Sequence, residues 1–245
     1  NAFDSYLFLD GKPKATTTMD TNDAAVKDAN GKYNLESVLA VRDKRLAITL
    51  DPVLCFKGSA YSRAGVAAFT STTGYGIGKQ YTDCPLFWLS VVYLNFAEAK
   101  AELGTLTQAD LDNSINKLQE RAGLPAMTTS PEADPANNMG VSNLLWEIRR
   151  CRRCELMCDN WTRYWDLIRW HKLDLLDSSK NPTIYLGANM KNVENPEVDV
   201  NSDGYMIGSN TINQPRTYEA KHYFYPIPTT QLTLNSNMEQ NPFWK

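Results

Sequence analysis

Cys151, Cys154 and Cys158 form the tightest cluster of metal-ligating or redox-capable side chains in the chain. Zinc would need a fourth ligand, and His171 is the nearby imidazole. A redox pair needs its thiolate at a helix N-terminus, whereas about two turns of helical pattern precede Cys151. The spacing i, i+3 and i+7 continues the apolar stripe of Leu144 and Ile148, so the thiols are expected as small buried hydrophobes. Asp199, Asn201, Asp203 and Gly204 match the first half of a calcium loop, with oxygen ligands at alternate positions and glycine at the turn. Asn210 stands where such a loop has its bidentate Glu, and no helical pattern flanks the segment. An Asx-rich turn between short strands is the expected use, with weak Ca2+ binding at Asp199, Asn201 and Asp203 as the alternative. No other cofactor or metal is expected.

Arg149, Arg150, Arg152 and Arg153 lie within a turn or two of Glu147, Glu155, Asp159 and Asp166. The net charge is -3 and the pI near 5.5, so an ion-paired helix is expected rather than a phosphate track, and nucleic acid is set aside. Neither histidine, His171 or His222, sits in a recognisable Ser or Cys triad motif, and there is no nucleophile elbow. The glycines 74, 76 and 78 are followed by Tyr81 and Asp83, not by the Lys-Ser/Thr of a phosphate loop. The chain is therefore expected not to be an enzyme, with carboxylates brought together only in space as the rival reading.

The aromatic residues are numerous, with 12 Tyr, 8 Phe and 6 Trp, and they divide into two sets. Trp88, Tyr93, Phe96, Trp165 and Trp170 lie in helix-like segments and are expected in the core. Tyr6, Phe8, Tyr61, Tyr75, Tyr81, Tyr185 and Tyr205 lie in loop-like segments. An exposed ring offers a flat apolar face to the C–H face of a sugar, while nearby Asn, Asp and Arg bond its hydroxyls. Tyr6, Phe8, Tyr61, Tyr75 and Tyr81 are the candidate ligand platform, with Tyr75 and Tyr81 favoured because neighbouring glycines give them room.

The elements that must position these groups are mostly helical. The chain has 245 residues, 42% apolar and 22% charged, with a mean hydropathy of -0.43. That suits a core-forming chain of one large domain or two small ones, and no run of about 18 apolar residues occurs. Tyr6 to Leu9 reads as a short strand running into the turn Asp10-Gly11-Lys12-Pro13. A first helical hairpin is predicted from Pro85 to Ala122, with Leu89, Val92, Phe96 and Leu103 on one stripe, a stop at Gly104 and a restart at Thr107 with Asp110. Leu111, Ile115, Leu118 and Ala122 form the second stripe, ended by Gly123 and Pro125. A second hairpin is predicted from about Ser142 to Leu176, its last helix facing inward through Trp165, Ile168 and Leu175 or Leu176. The two are expected to meet through Phe96, Leu118, Ile148 and Trp165, as tetratricopeptide-like hairpins do. The stretch after Asp177, rich in Asn, Pro and Gly, is too long for a passive connector.

With these residues in place, the chain resembles the C-terminal region of the SusD/RagB family. Leu94 to Ala99, continuing to Arg121-Ala122-Gly123-Leu124-Pro125, is similar to one family hairpin; Arg152 to Leu156 with Arg163 to Trp170 is similar to another. Phe224-Tyr225-Pro226-Ile227-Pro228 with Gln240-Asn241-Pro242 resembles the terminal motif, and Arg42 to Leu46 an internal one. Two positions depart: Cys151 stands where the family usually has Glu, and the stretch between Leu156 and Arg163 is one residue longer.

The resemblance implies a mainly α-helical, SusD-like fold of tetratricopeptide-like hairpins carrying long loops. It is read as one domain over 1–245, with a loop-rich ligand-side segment at 1–83, helical hairpins at 84–177, and a loop and tail at 178–245. It further implies an oligosaccharide ligand, a TonB-dependent outer-membrane transporter as partner, and a surface lipoprotein of the outer membrane. The anchor of such a lipoprotein would lie upstream of Asn1, and the chain is expected to be a piece of a longer one. A helical scaffold binding a peptide or protein is the alternative.

Overall fold

The computed structural model describes residues 3–19, 35–49, 88–157, 162–190, 199–207 and 216–244. The chain falls into two compact units, residues 2–160 and 161–245. The first holds helices α1 (Leu35–Ala40), α2 (Lys44–Thr49), α3 (Leu89–Glu102), α4 (Gln108–Asp112), α5 (Ile115–Ala122) and α6 (Asn143–Glu155). The second holds α7 (Thr162–Arg169), a two-stranded antiparallel ribbon of β1 (Leu186–Asn189) and β2 (Tyr205–Ile207), and α8 (Thr229–Leu234). The described residues are thus mainly helical, as predicted.

In the first unit the stop signals act as their chemistry requires. Gly104 takes φ 67°, and Thr105 N–H donates to the Lys100 carbonyl at 2.9 Å while Gly104 N–H donates to Ala101 at 3.1 Å. This closes α3 with a left-handed glycine cap. Thr107 then opens α4 with a capping box: its hydroxyl accepts from the Asp110 N–H at 3.2 Å, and the Asp110 carboxylate accepts from the Thr107 N–H at 2.9 Å. The sequence predicts one helix here, and the structure has two. The Ser114 hydroxyl donates to the Asp110 carbonyl at 2.6 Å and the Asn113 amide to the Ala109 carbonyl at 2.9 Å, so side chains take carbonyls at the break. Leu111, Ile115, Leu118 and Ala122 are all buried, as their period predicted.

The other half of the first stripe is a correction. Leu89, Val92, Phe96 and Leu103 are exposed, and α3 instead buries Leu94, Ala97 and Glu98. Apolar residues run almost all round this helix, so period alone does not select its inner face. Charge does: Glu98 meets Arg149 of α6 at 3.3 Å, and Glu102, one turn on, meets the same guanidinium at 3.0 Å. The core that results joins Leu94 and Ala97 of α3 to Leu111, Ile115, Leu118, Ile148 and Cys151. Cys151 and Cys154 are buried as expected, and Cys158 lies outside the described residues. The arginines of α6 turn onto polar groups of the fold: Arg150 pairs with Glu147 at 2.6 Å and Arg152 donates to the Asn95 side chain at 2.8 Å.

In the second unit α7 is rotated from its predicted phase. Asp166, Leu167 and Trp170 are buried and Trp165 is exposed, so Trp165 belongs to the surface and not to the core. The helix also stops at Arg169. His171 adopts φ 52°, with its N–H on the Ile168 carbonyl at 3.0 Å and the Lys172 N–H on Leu167 at 2.8 Å, and Leu173–Leu176 continues as a 3₁₀ turn. A histidine thus fills the left-handed cap position usually held by glycine. The long excursion after Asp177 is closed at its base, where Ser178 N–H donates to the Arg216 carbonyl at 3.0 Å and Tyr218 N–H to the Asp177 carboxylate at 3.1 Å. Within it, a Cβ on Gly187 would lie 3.3 Å from the Met206 Cβ and carbonyl oxygen, a tight fit where β1 passes β2.

Candidate functional site

The expected platform residues separate. Tyr6 is 1% exposed; its hydroxyl lies 3.0 Å from the Thr49 hydroxyl and donates to the Cys154 carbonyl at 3.4 Å. Burial pushes this phenol well above its usual range. Phe8 is 4% exposed, with the Arg42 guanidinium 4.3 Å from its ring centre. The same guanidinium donates to the Phe3 and Tyr6 carbonyls at 2.9 and 2.8 Å. The structure therefore places both rings in the core, where neither offers an open face to a ligand. Their backbone is loop-like, but Arg42 pulls the segment inward. Tyr61, Tyr75 and Tyr81 lie outside the described residues.

A different aromatic group is on the surface of the second unit. Trp165 is 55% exposed and its ring packs edge-on against Tyr164, with centroids 5.6 Å apart at 68°. Tyr225 is 62% exposed, and its hydroxyl lies 3.3 Å from the hydroxyl of Tyr164. That hydrogen bond, with desolvation, raises the Tyr164 pKa to about 12, so its phenol stays a neutral donor and acceptor at physiological pH. Sequence reasoning assigned Trp165 to the core and did not single out Tyr164 or Tyr225. The Tyr164-Trp165 pair beside a Pro-fixed Tyr225 was the available signal.

The platform is held by two motifs that lock into one another. The Gln240 amide oxygen accepts from the Ile227 N–H at 2.7 Å, and its nitrogen donates to the Ile227 carbonyl at 2.9 Å. Asn241 donates to the Tyr225 carbonyl, and the Trp244 indole donates to the carbonyls of Lys221 and Phe224 at 3.1 and 2.7 Å. Pro226 and Pro228 supply no N–H, so Gln240 reaches the one paired peptide between them. On the same segment, the Trp170 ring is covered by the guanidiniums of Arg163 at 5.5 Å and Arg169 at 4.7 Å. Exposed rings beside hydroxyls and arginines can stack on a sugar and bond its hydroxyls.

Among the described residues no three His, Cys, Asp or Glu side chains group as a metal site. The Asn201 side-chain oxygen accepts from the N–H groups of Asp203 at 3.0 Å and Tyr205 at 2.9 Å, the Asx-turn geometry, with Gly204 at φ 82°. No described helix is long and apolar enough to cross a membrane.

Comparison with known proteins identifies the architecture. Residues 54–244 match the model of the SusD family. A SusD-like carbohydrate binding protein from Bacteroides fragilis NCTC 9343 shares 21% identity and superposes with a TM-score of 0.57, over 97% of this chain and 47% of that one. The protein BT4246 shares 30% identity with a TM-score of 0.45, over 67% of this chain and 24% of that one. The chain therefore spans less than half the length of either solved chain. No curated protein matches. The chain belongs to the SusD family.

Proposed function

We propose that this SusD-family chain is part of a non-catalytic glycan-binding protein that captures oligosaccharide for a TonB-dependent transporter at the outer-membrane surface. The observation that carries the reading is the Tyr164–Trp165–Tyr225 group at the surface, whose rings and hydroxyls suit a sugar face and its rim. Family membership supports the ligand class and the membrane location. Tyr75, Tyr81 and Tyr61 remain candidates for further rings. A lipid anchor upstream would hold the protein to the membrane. The test is a glycan-array screen of the full-length protein, followed by titration of the best glycan against Trp165→Ala, Tyr225→Ala, Tyr75→Ala and Tyr81→Ala. Reducing-sugar release from that glycan would show an enzyme instead.

A second reading, a scaffold for a protein partner, is favoured by the exposed stripe Leu89, Val92, Phe96 and Leu103 on α3. Replacing Val92 and Phe96 by Ser separates the two: loss of transporter association with glycan affinity intact assigns α3 to the partner.

A further inference from the structure

Phe243 adopts φ 68°, a backbone conformation that bulky side chains rarely take. It holds the third position of a turn from Asn241 to Trp244, closed by the Trp244 backbone N–H donating to the Asn241 carbonyl at 3.2 Å. Pro242 at the second position and a positive φ at the third mark a type II turn, which favours Gly or Asn where Phe243 stands. His171 is the other described non-glycine residue with positive φ, and it caps α7 and stacks on Tyr223 at 5.1 Å. Phe243 gains little from packing in return, because it is 66% exposed.

The turn is fastened without that ring. The Trp244 indole donates to the carbonyls of Lys221 and Phe224 at 3.1 and 2.7 Å, and the Lys221 ammonium lies 5.4 Å from the Trp244 ring centre. Asn241 donates its amide to the Tyr225 carbonyl. A glycine at 243 would keep all of these contacts and relieve the strain. An isolated exposed ring is ordinary on a protein surface, but one held there against its backbone preference is not, and such strain gathers where side chains serve binding.

The place of the turn says what the ring would meet. Both of its ends are tied to the segment that carries Tyr225, an open ring of the aromatic platform. Phe243 has no hydroxyl, so it offers a sugar stacking alone, on its apolar C–H face. At roughly fivefold in Kd for each stacked ring, Trp165 and Tyr225 alone fall short of micromolar affinity. We propose that Phe243 is a further stacking residue of the glycan site, receiving the sugar unit next along the oligosaccharide from the one on Tyr225. This assignment rests on the glycan-binding reading of the platform and adds to it a residue of the C-terminal tail.

The test uses the full-length protein and a panel of glucan, mannan, xylan and galactan hexasaccharides, with the tightest binder as the probe. Phe243→Gly and Phe243→Asn both suit the turn, so Tm is expected to hold or rise while Kd for the probe rises about fivefold. Phe243→Trp keeps an aromatic face and should stay within about twofold of the parent Kd. A Tm fall beyond about 5 °C in both the Gly and Asn variants would make the ring a packing group and overturn the assignment. Unchanged affinity in both, or Phe243→Trp binding as weakly as Phe243→Gly, also overturns it. So does unchanged affinity with loss of transporter association, which gives the ring to a protein partner. Trp165→Ala and Tyr225→Ala, titrated with the same probe, separate the two readings. Weakening in these with none at Phe243 removes Phe243 alone; no effect in any of them, or no hexasaccharide bound up to about 10 mM, removes the platform as well.

Discussion

Arg45 Nη1 lies 3.2 Å from Glu155 Oε2 although 110 residues separate them in sequence. Arg121 reaches the other oxygen of the same carboxylate. Three motifs that look independent in the sequence, at Arg42 to Leu46, Arg121 to Pro125 and Arg152 to Leu156, therefore converge on one acid. Arg45 also holds Asp43 at 2.7 Å and touches the Cys151 sulfur at 3.6 Å. The Asp43 oxygen accepts the Arg45 N–H at 3.0 Å at the start of α2, so one carboxylate both caps a helix and neutralises the buried guanidinium.

Replacing Glu155 by Gln leaves the Arg45 guanidinium buried with one carboxylate fewer. The expected loss is about 3 kcal/mol in denaturant unfolding, the scale for breaking a buried pair from one side. Arg121 is mostly exposed, and Arg121→Ala should cost under about 1 kcal/mol. Equal losses for the two variants would show that Glu155 acts through Arg121 and not through Arg45.

Asp110 supplies a pH dependence with a definite sign. Hydrogen bonds from Lys100 and then from the Thr107 side chain and N–H hold its carboxyl at about 2, below its ordinary value of 3.8. A depressed folded pKa means stabilisation that is complete above the unfolded pKa and is lost as pH falls through the folded one. The contribution should therefore fade between about pH 4 and pH 2. The carboxyl carbon shift of Asp110 followed by NMR should titrate near 2, and at a higher pH in Lys100→Met, where the Thr107 hydrogen bonds alone remain. A midpoint near 4 in the parent would show that the capping box does not persist in solution.

The thiols should behave as packing groups. Burial pushes Cys154 up to about 11, and its sulfur lies 3.1 Å from the Ser5 carbonyl oxygen. Thiolate is the reactive form, so native alkylation of Cys151 and Cys154 should be slow and become rapid only in denaturant. Zinc and calcium chelators are expected to leave Tm unchanged, since the Asn201 side-chain oxygen serves its own turn. Stoichiometric zinc in protein purified without added metal would contradict this.

What was legible in the sequence follows from how locally each feature is determined. The capping box at Thr107, the glycine caps at 104 and 123 and the buried stripe of Leu111, Ile115, Leu118 and Ala122 depend on neighbours a turn away, and they read correctly. The inner face of α3 did not, because Leu89, Val92 and Phe96 compete with Leu94 and Ala97 on almost equal terms. The ion pairs of Arg149 with Glu98 and Glu102, across 51 and 47 residues, select between them. Tyr6 and Phe8 were read by their loop-like backbone, while their burial is set by Arg42, more than 30 residues on. The Tyr164–Tyr225 pairing joins residues 61 apart, and no periodicity carries such a contact.

Trp165 and Trp170 make the last prediction, because they lie five positions apart on one segment yet should fail in opposite ways. Trp170 is 8% exposed beneath two guanidiniums, and Trp170→Ala should cost about 3–5 kcal/mol of stability. Trp165 presents more than half its surface to solvent, so Trp165→Ala should stay within about 1 kcal/mol of the parent. Its cost should appear in binding, at about 1 kcal/mol, or roughly fivefold in Kd, for one stacked ring. Tyr225→Ala should behave likewise, since its ring is equally open, and the double variant should weaken glycan further than either single change. The measurement is a pair of denaturation curves set beside glycan titrations of the full-length protein. A large stability loss in Trp165→Ala would place that ring in the core after all. Unchanged affinity in both single variants and the double would remove this aromatic group from the glycan site.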